Sequence, residues 1–264
     1  MIEPAAADRD QRFEALAVSF SRFRSEVRAA EPEAWALQLP DLTTLGYLQL
    51  AIDIADAIAA ARLPADARIL DWGAGPGFLA YLLQELGLTV TCYDFASGAP
   101  GTVRALSPLH GDKRFIDDPV RLPFEDATFD AAVSFGVLEH VPDAPASVAE
   151  AMRVLESGGL FLYHFPNRYS WTENLARLLG RPHHDSPLSR RRLRRLLSVP
   201  DADVYEMSYR YLIPRNLVDM PRLRAFISRH ARAVYGLDAA LVRIPALNLL
   251  STTHNVTVRK SPTK

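Results

Sequence analysis

The run Ile69-Leu70-Asp71-Trp72-Gly73-Ala74-Gly75-Pro76-Gly77-Phe78 decides the fold. An apolar stretch from Ala67 ends on the acid Asp71, a glycine-rich turn follows, and Phe78-Leu79-Ala80-Tyr81-Leu82-Leu83 is apolar again. That order reads as a buried strand, a tight loop and a helix. Glycine has no Cβ, so such a loop lets backbone N–H groups and a helix N-terminus approach a polar ligand closely. In a parallel α/β sheet the ligand crevice lies at the carboxyl ends of the strands, which puts the site at this loop.

The neighbouring stretches extend the pattern on both sides. Leu88 to Tyr93 is β-rich and apolar and ends on Asp94. An acid at the end of the second strand of a β-α-β unit can accept hydrogen bonds from both hydroxyls of a ribose. Phe95 then stands where it can cover one face of a base; the plainer reading of Asp94 is a turn cap. Arg114 to Asp118 is a short strand closing on the paired acids Asp117 and Asp118, and Phe129 to Phe135 is a further buried strand. Ala146 to Leu155 is helical, and Gly158-Gly159 turns into a fifth strand, Leu160 to Phe165. Upstream, apolar residues recur at helical spacing from Arg12 to Arg28 and from Leu42 to Ala61, with a proline-bounded bend over residues 32–40 between them. Residues 1–62 therefore read as a helical extension, either packed on the domain or serving as a lid, and 63–264 as the main domain.

Composition narrows the function classes. The chain has 264 residues, 48% hydrophobic and 23% charged, with a formal net charge of −1. Nothing in that balance points to nucleic acid. Cys92 is the single cysteine, so no disulfide framework exists within one chain and a reducing cytoplasm fits. No basic segment followed by an apolar core opens the sequence, and no apolar run is long enough to span a bilayer. The expected location is cytoplasmic, with peripheral membrane contact left open.

Two ligand classes compete for the glycine loop. The dinucleotide fingerprint G-x-G-x-x-G fails at its last position, which is Phe78. The spacing of Gly73, Gly75 and Gly77, with Asp71 two residues ahead, resembles instead the S-adenosylmethionine (SAM) loop of class I methyltransferases. Later motifs make that resemblance specific: Asp118 with Leu122-Pro123-Phe124 and Phe129-Asp130; Ser134 with Leu138-Glu139-His140; Arg153-Val154-Leu155 with Gly158-Gly159. The match covers about residues 67–166 and looks most like the branch holding the quinone-biosynthesis and other small-molecule methyltransferases.

The resemblance implies an α/β fold: a Rossmann-like, seven-stranded, mostly parallel, doubly wound sheet with an antiparallel edge strand, helical at its N-terminus and in its C-terminal insertions. It implies SAM as cofactor. Gly73, Ala74, Gly75 and Gly77 would meet its methionine part, and Asp71 would orient the loop or reach the cofactor amine through water. Asp94 would take the ribose hydroxyls, and Phe95 and Phe135 would line the nucleoside. An acid after the third strand would accept from the adenine amino group. Spacing favours Asp118, but the following Pro119 has no N–H to give the ring, which keeps Asp117 open.

After Phe165 the chain turns polar, with an insertion over about 167–187. Its His183-His184-Asp185 lacks the further ligands a metal site needs, so no metal is expected. Ser189 can cap a helix bearing Arg190, Arg191, Arg192, Arg194 and Arg195 with Leu193, Leu196 and Leu197 inward; an anion, an anionic membrane or plain solvent can face those arginines. Ala202 to Tyr211 reads as a sixth strand, and Thr253 to Arg259 as the final, antiparallel edge strand. Between them, 214–250 mixes apolar residues with arginines and suits a cap over a hydrophobic substrate, a membrane patch or ordinary packing. His140 and His164 follow the fourth strand and end the fifth, so they are the candidate general bases for a hydroxyl acceptor. The expected function is methyl transfer to a small molecule, O-directed, on a hydrophobic, lipid-linked or saccharide acceptor; N- or C-methylation and a noncatalytic SAM-binding regulator are the alternatives.

Overall fold

The computed structural model describes residues 9–30, 41–75, 77–95, 113–116, 118, 120–180, 187–213, 226 and 229–261. Asp117, the His183-His184-Asp185 run, the 32–40 bend and residues 214–225 lie outside them, as does the side chain of Phe95. The elements are α1 (Arg9–Ala30), α2 (Asp41–Ala60), β1 (Arg68–Trp72), α3 (Phe78–Glu85), β2 (Thr89–Phe95), β3 (Lys113–Ile116), β4 (Phe129–Ser134), α4 (Ala144–Val154) and β5 (Leu155–Pro166). There follow α5 (Trp171–Leu178), α6 (Arg190–Leu196), β6 (Ala202–Arg210), α7 (Ala231–Leu241), a 3-10 turn (Leu247–Leu250) and β7 (Thr253–Lys260).

Seven strands form one sheet in the order β3-β2-β1-β4-β5-β7-β6. β1 pairs in parallel with β2 on one side and β4 on the other, and β2–β3 and β4–β5 are parallel too. Chain order reverses at β1, so a crevice opens between the ends of β1 and β4. Two expectations need correcting. The antiparallel strand, β7, lies one place in from the edge, between β5 and β6. β7 buries His254, Val256 and Val258, whereas β6, the edge strand, leaves Asp203, Val204, Tyr205 and Glu206 exposed. Gly158 and Gly159 are not a turn ahead of the fifth strand but part of β5, where the pairing with β4 shifts register between Phe129 and Ala131. They mark a bulge.

Both faces of the sheet are covered. Ile69, Ala131, Val133, Leu160 and Leu162 pack on one side against α1, α2 and α3. Leu70, Trp72, Ala132, Phe161 and Tyr163 pack on the other against α4 and α6. α1 reaches the first core through Leu16, Phe20 and Phe23, all at most 1% exposed. Phe20 and Phe23 meet Phe78 edge-on at 5.3 and 6.0 Å, and Phe23 stacks on Tyr81 at 4.1 Å. Ser19 Oγ lies 2.6 Å from both Tyr81 Oη and Glu85, and Arg9, Arg12 and Arg210 converge on Asp53 and Asp56 of α2. The N-terminal helices are thus fastened to α3 and to β6.

Candidate active site

Tight hydrogen bonding shapes the glycine loop. Gly73 and Ala74 donate to the Tyr93 carbonyl at 2.8 and 3.1 Å, so the loop leaves β1 still tied to β2. Gly77 donates to Ala74 O at 2.7 Å and caps α3 in the left-handed region. Gly73 also has positive φ, +78°, and a Cβ there would sit 2.0 Å from Val137 Cγ2. The segment after β4 therefore lies directly on the loop, an approach that only glycine permits. Among the described residues a Cβ at Gly75 would meet nothing nearer than Gly73 O at 4.0 Å, which leaves room above the loop. That space, at the switch point of the sheet, suits the amino-acid end of SAM.

Asp94 stands at the end of β2 and accepts from Gly75 N at 2.7 Å. One carboxylate thus joins the two halves of the expected nucleoside site, loop and strand tip. Asp118 has a different task. Its exposed Oδ1 accepts from Val120 N at 2.9 Å and Arg121 N at 2.8 Å, and these backbone bonds hold its pKa below the usual range. The adjoining Leu122–Phe124 segment is braced by Arg153, whose Nη2 donates to the carbonyls of Leu122 and Phe124 at 3.1 and 2.8 Å. Arg153 pairs as well with Glu150 and Asp126, at 2.7 and 2.6 Å.

Asp71 is 3% exposed under the loop. Two residues join it that the sequence reading did not single out. Burial, and then the charge of Asp71 and the neighbouring Tyr211, push the Tyr47 phenol up to about 12. Tyr47 also meets Phe78 edge-on at 6.0 Å. The Tyr211 hydroxyl approaches Gly46 closely enough that a Cβ there would be 3.6 Å away. Tyr47 lies in a helix whose periodicity is explained by packing alone, and nothing local in the sequence announces that it feels the charge of a residue 24 positions on.

Phe135 and His164 come together at the ends of β4 and β5, rings edge-on at 5.1 Å and both half-buried, on the face that α2 covers. His140 sits apart, exposed at the end of a turn closed by its own N–H to Val137 O at 2.8 Å. On the opposite face Trp72, Ser134 and Tyr163 are neighbours across β1, β4 and β5, each at most 1% exposed. Among the described residues their Nε1, Oγ and Oη have no hydrogen-bond partner. Among the described residues no group of three or more His, Cys, Asp or Glu is placed to hold a metal.

Comparison with known proteins agrees with this geometry. The methyltransferase-domain family model matches residues 70–163, from β1 to β5. The domain is that of a class I SAM-dependent methyltransferase. A Mycolicibacterium smegmatis protein named as a probable S-adenosylmethionine-dependent methyltransferase is 32% identical over 140 residues, 52% of each chain. A ubiquinone biosynthesis O-methyltransferase of Xanthomonas oryzae is 33% identical over 144 residues, 49% of this chain and 59% of its own. The chain thus spans 52% and 59% of the length of these two relatives. Among solved structures, a candidate sarcosine dimethylglycine methyltransferase from Galdieria sulphuraria superposes with a TM-score of 0.57 over 81% of this chain and 86% of its own. At 19% identity that likeness speaks for the fold alone. The cofactor of the domain is SAM.

Proposed function

We propose that this methyltransferase domain transfers the methyl group of SAM to a hydroxyl of a small amphipathic acceptor, lipid-linked or saccharide. The observation that carries the cofactor half is the bond from Gly75 N to Asp94 beside the open space over the loop. SAM brings a methyl carbon already activated by its sulfonium, so the protein's work is alignment and exclusion of water. In support of an amphipathic acceptor, a cavity of about 770 Å³ lies between α1, α2 and the start of α7. Phe20, Leu45 and Leu48 give it an apolar wall, and Arg24, Arg229 and Arg232 a cationic one. Its Phe20 wall touches Phe78, the residue after the glycine loop.

Tyr47, with its pKa near 12, keeps its proton at neutral pH and acts as a donor rather than a base. His164 is the better placed of the two histidines to accept a hydroxyl proton, being half-buried on the face that α2 covers, while His140 faces solvent. Adenine recognition by Asp118 would fall to its second carboxylate oxygen, since Oδ1 serves its own turn; Asp117 is the alternative.

The test is transfer of labelled methyl from SAM into lipid and water-soluble extract fractions, with the product read by mass spectrometry. A product heavier by one methyl on oxygen supports the reading. Label on nitrogen or carbon, or cofactor binding without transfer, overturns it. In the active fraction, His164→Gln is expected to lower turnover by about 10²-fold or more and to remove the acid limb of the pH–rate profile, with SAM affinity unchanged.

A further inference from the structure

Helix α5 is assembled inside out. It buries Glu173 and Ala176 and turns Trp171, Leu175 and Leu178 to solvent, with Leu179 following on the same face. Leu178 is 82% exposed and Leu179 66%, so both stand clear of the surrounding surface instead of lining a groove. Tyr169, just ahead of the helix, is 54% exposed. Burying a carboxylate while exposing leucines is costly in water, and a patch of this kind marks a contact surface. The Glu173 carboxylate pairs with Arg177 at 3.4 Å, and Ser170 Oγ caps the helix by accepting from Glu173 N.

Two further segments meet this helix at the end of β5. Asn167 Nδ2 donates to the carbonyls of Leu249 and Ser251 at 2.8 Å each, which ties the 3-10 turn, with exposed Leu249 and Leu250, to the start of α5. Leu188 donates to Pro166 O and accepts from Arg168 N, both at 3.1 Å, which brings α6 to the same point. Leu193 and Leu197 are buried, so Arg191, Arg192, Arg194 and Arg195 face solvent. Residues 168–198 hold eight arginines and two acids, and of the acids Glu173 is already paired.

We propose that this rim docks on the anionic face of a lipid bilayer, with the α5 leucines inserted and the α6 arginines on the headgroups, while Trp171, whose Nε1 donates to Leu212 O at 2.7 Å, stays with the protein. The chemistry selects that occupant. Protruding leucines next to an unbalanced arginine row are the two signals that interfacial binding needs together, and a polyanion such as RNA has no use for the leucines. The start of α5 and Leu188, just ahead of α6, stand at the carboxyl end of β5, the edge of the sheet on which the glycine loop lies. An acceptor dissolved in the bilayer would meet the site from there; that last step rests on the proposed function, and the docking itself does not.

The experiment is co-sedimentation of the full chain, without turnover, with vesicles of phosphatidylglycerol and phosphatidylcholine and with vesicles of phosphatidylcholine alone. Binding to the anionic vesicles, weakened by salt and by omission of phosphatidylglycerol, is expected. Joint Leu175→Ser, Leu178→Ser and Leu179→Ser should lower it by about tenfold or more. Joint Arg191→Glu, Arg194→Glu and Arg195→Glu should lower it by about a hundredfold. SAM binding should stay at the unsubstituted level in both variants, which shows them folded. No sedimentation with anionic vesicles, sedimentation indifferent to the leucines, or a concentration-dependent dimer dissolved by the serine variant would overturn the proposal. Methyl transfer to a fully water-soluble acceptor would leave the docking result standing and overturn only the step in which the acceptor reaches the site from the bilayer.

Discussion

At Gly73 one hydrogen atom carries the site. The residue has a backbone conformation that L side chains rarely adopt, and Val137 occupies the space a methyl would need. Gly73→Ala is therefore expected to destabilise the fold by about 2–5 kcal/mol, the sum of left-handed strain and overpacking. The cost does not stay local, because Val137 begins the segment over the loop. SAM affinity should fall by more than the lost stability explains, measured by calorimetry on the fraction still folded. Gly75→Ala shares the left-handed strain, φ being +49°, but not the overpacking: it should cost about 1–2 kcal/mol, less than Gly73→Ala, and lose affinity because the added methyl enters the room above the loop. Equal losses in the two variants would show that the loop is only a turn. This contrast was half legible in the sequence. Glycine spacing located the loop, but which glycine answers to packing and which to the ligand depends on Val137, more than sixty residues away.

At the scale of elements, what the sequence made legible was local and what it hid was pairing. Strand β1, helix α3 and the Ser189 cap of α6 are written in adjacent residues, and the structure has them, with Ser189 Oγ accepting from Arg192 N. The place of β7 between β5 and β6 is not, since hydrophobic alternation says that a strand is half-buried and not which strand lies beside it. That place has a consequence. His254 of β7 pairs with Phe165 and Tyr209 and is 1% exposed. Burial, and then the charge of Arg190, push its pKa down to about 4 against a contrary pull from the Leu188 carbonyl. The folded chain thus holds His254 neutral while the unfolded chain protonates near the ordinary value of 6.5. Between these values the unfolded state binds more protons, so stability is full above 6.5 and falls as pH drops toward 4, by about 3 kcal/mol in all. Denaturant melts across that window should show the slope, and His254→Gln should flatten it. An unchanged slope would place the titrating group elsewhere.

The whole molecule turns on whether residues 1–62 are a lid or part of the fold. The sequence allowed both, because an amphipathic helix advertises a buried face without naming its partner. The contacts favour the second. Phe20 and Phe23 share one core with Phe78, and Phe78 follows Gly77, so α1 presses on the helix that leaves the cofactor loop. A lid must part from the domain at low cost, yet these rings are at most 1% exposed and removing one such side chain costs about 3–5 kcal/mol. Phe20→Ala is accordingly expected to lower the melting temperature of the whole chain in one cooperative transition. SAM should in return slow hydrogen exchange in α1, although no residue of α1 is needed to touch it, since ligand binding stabilises whatever unfolds together with its site. A chain beginning at residue 63 should then fail to fold or to bind cofactor. Should that shortened chain bind SAM with undiminished affinity, the helices are a removable cover, and the cavity they wall off with α7 is a gate rather than a fixed room.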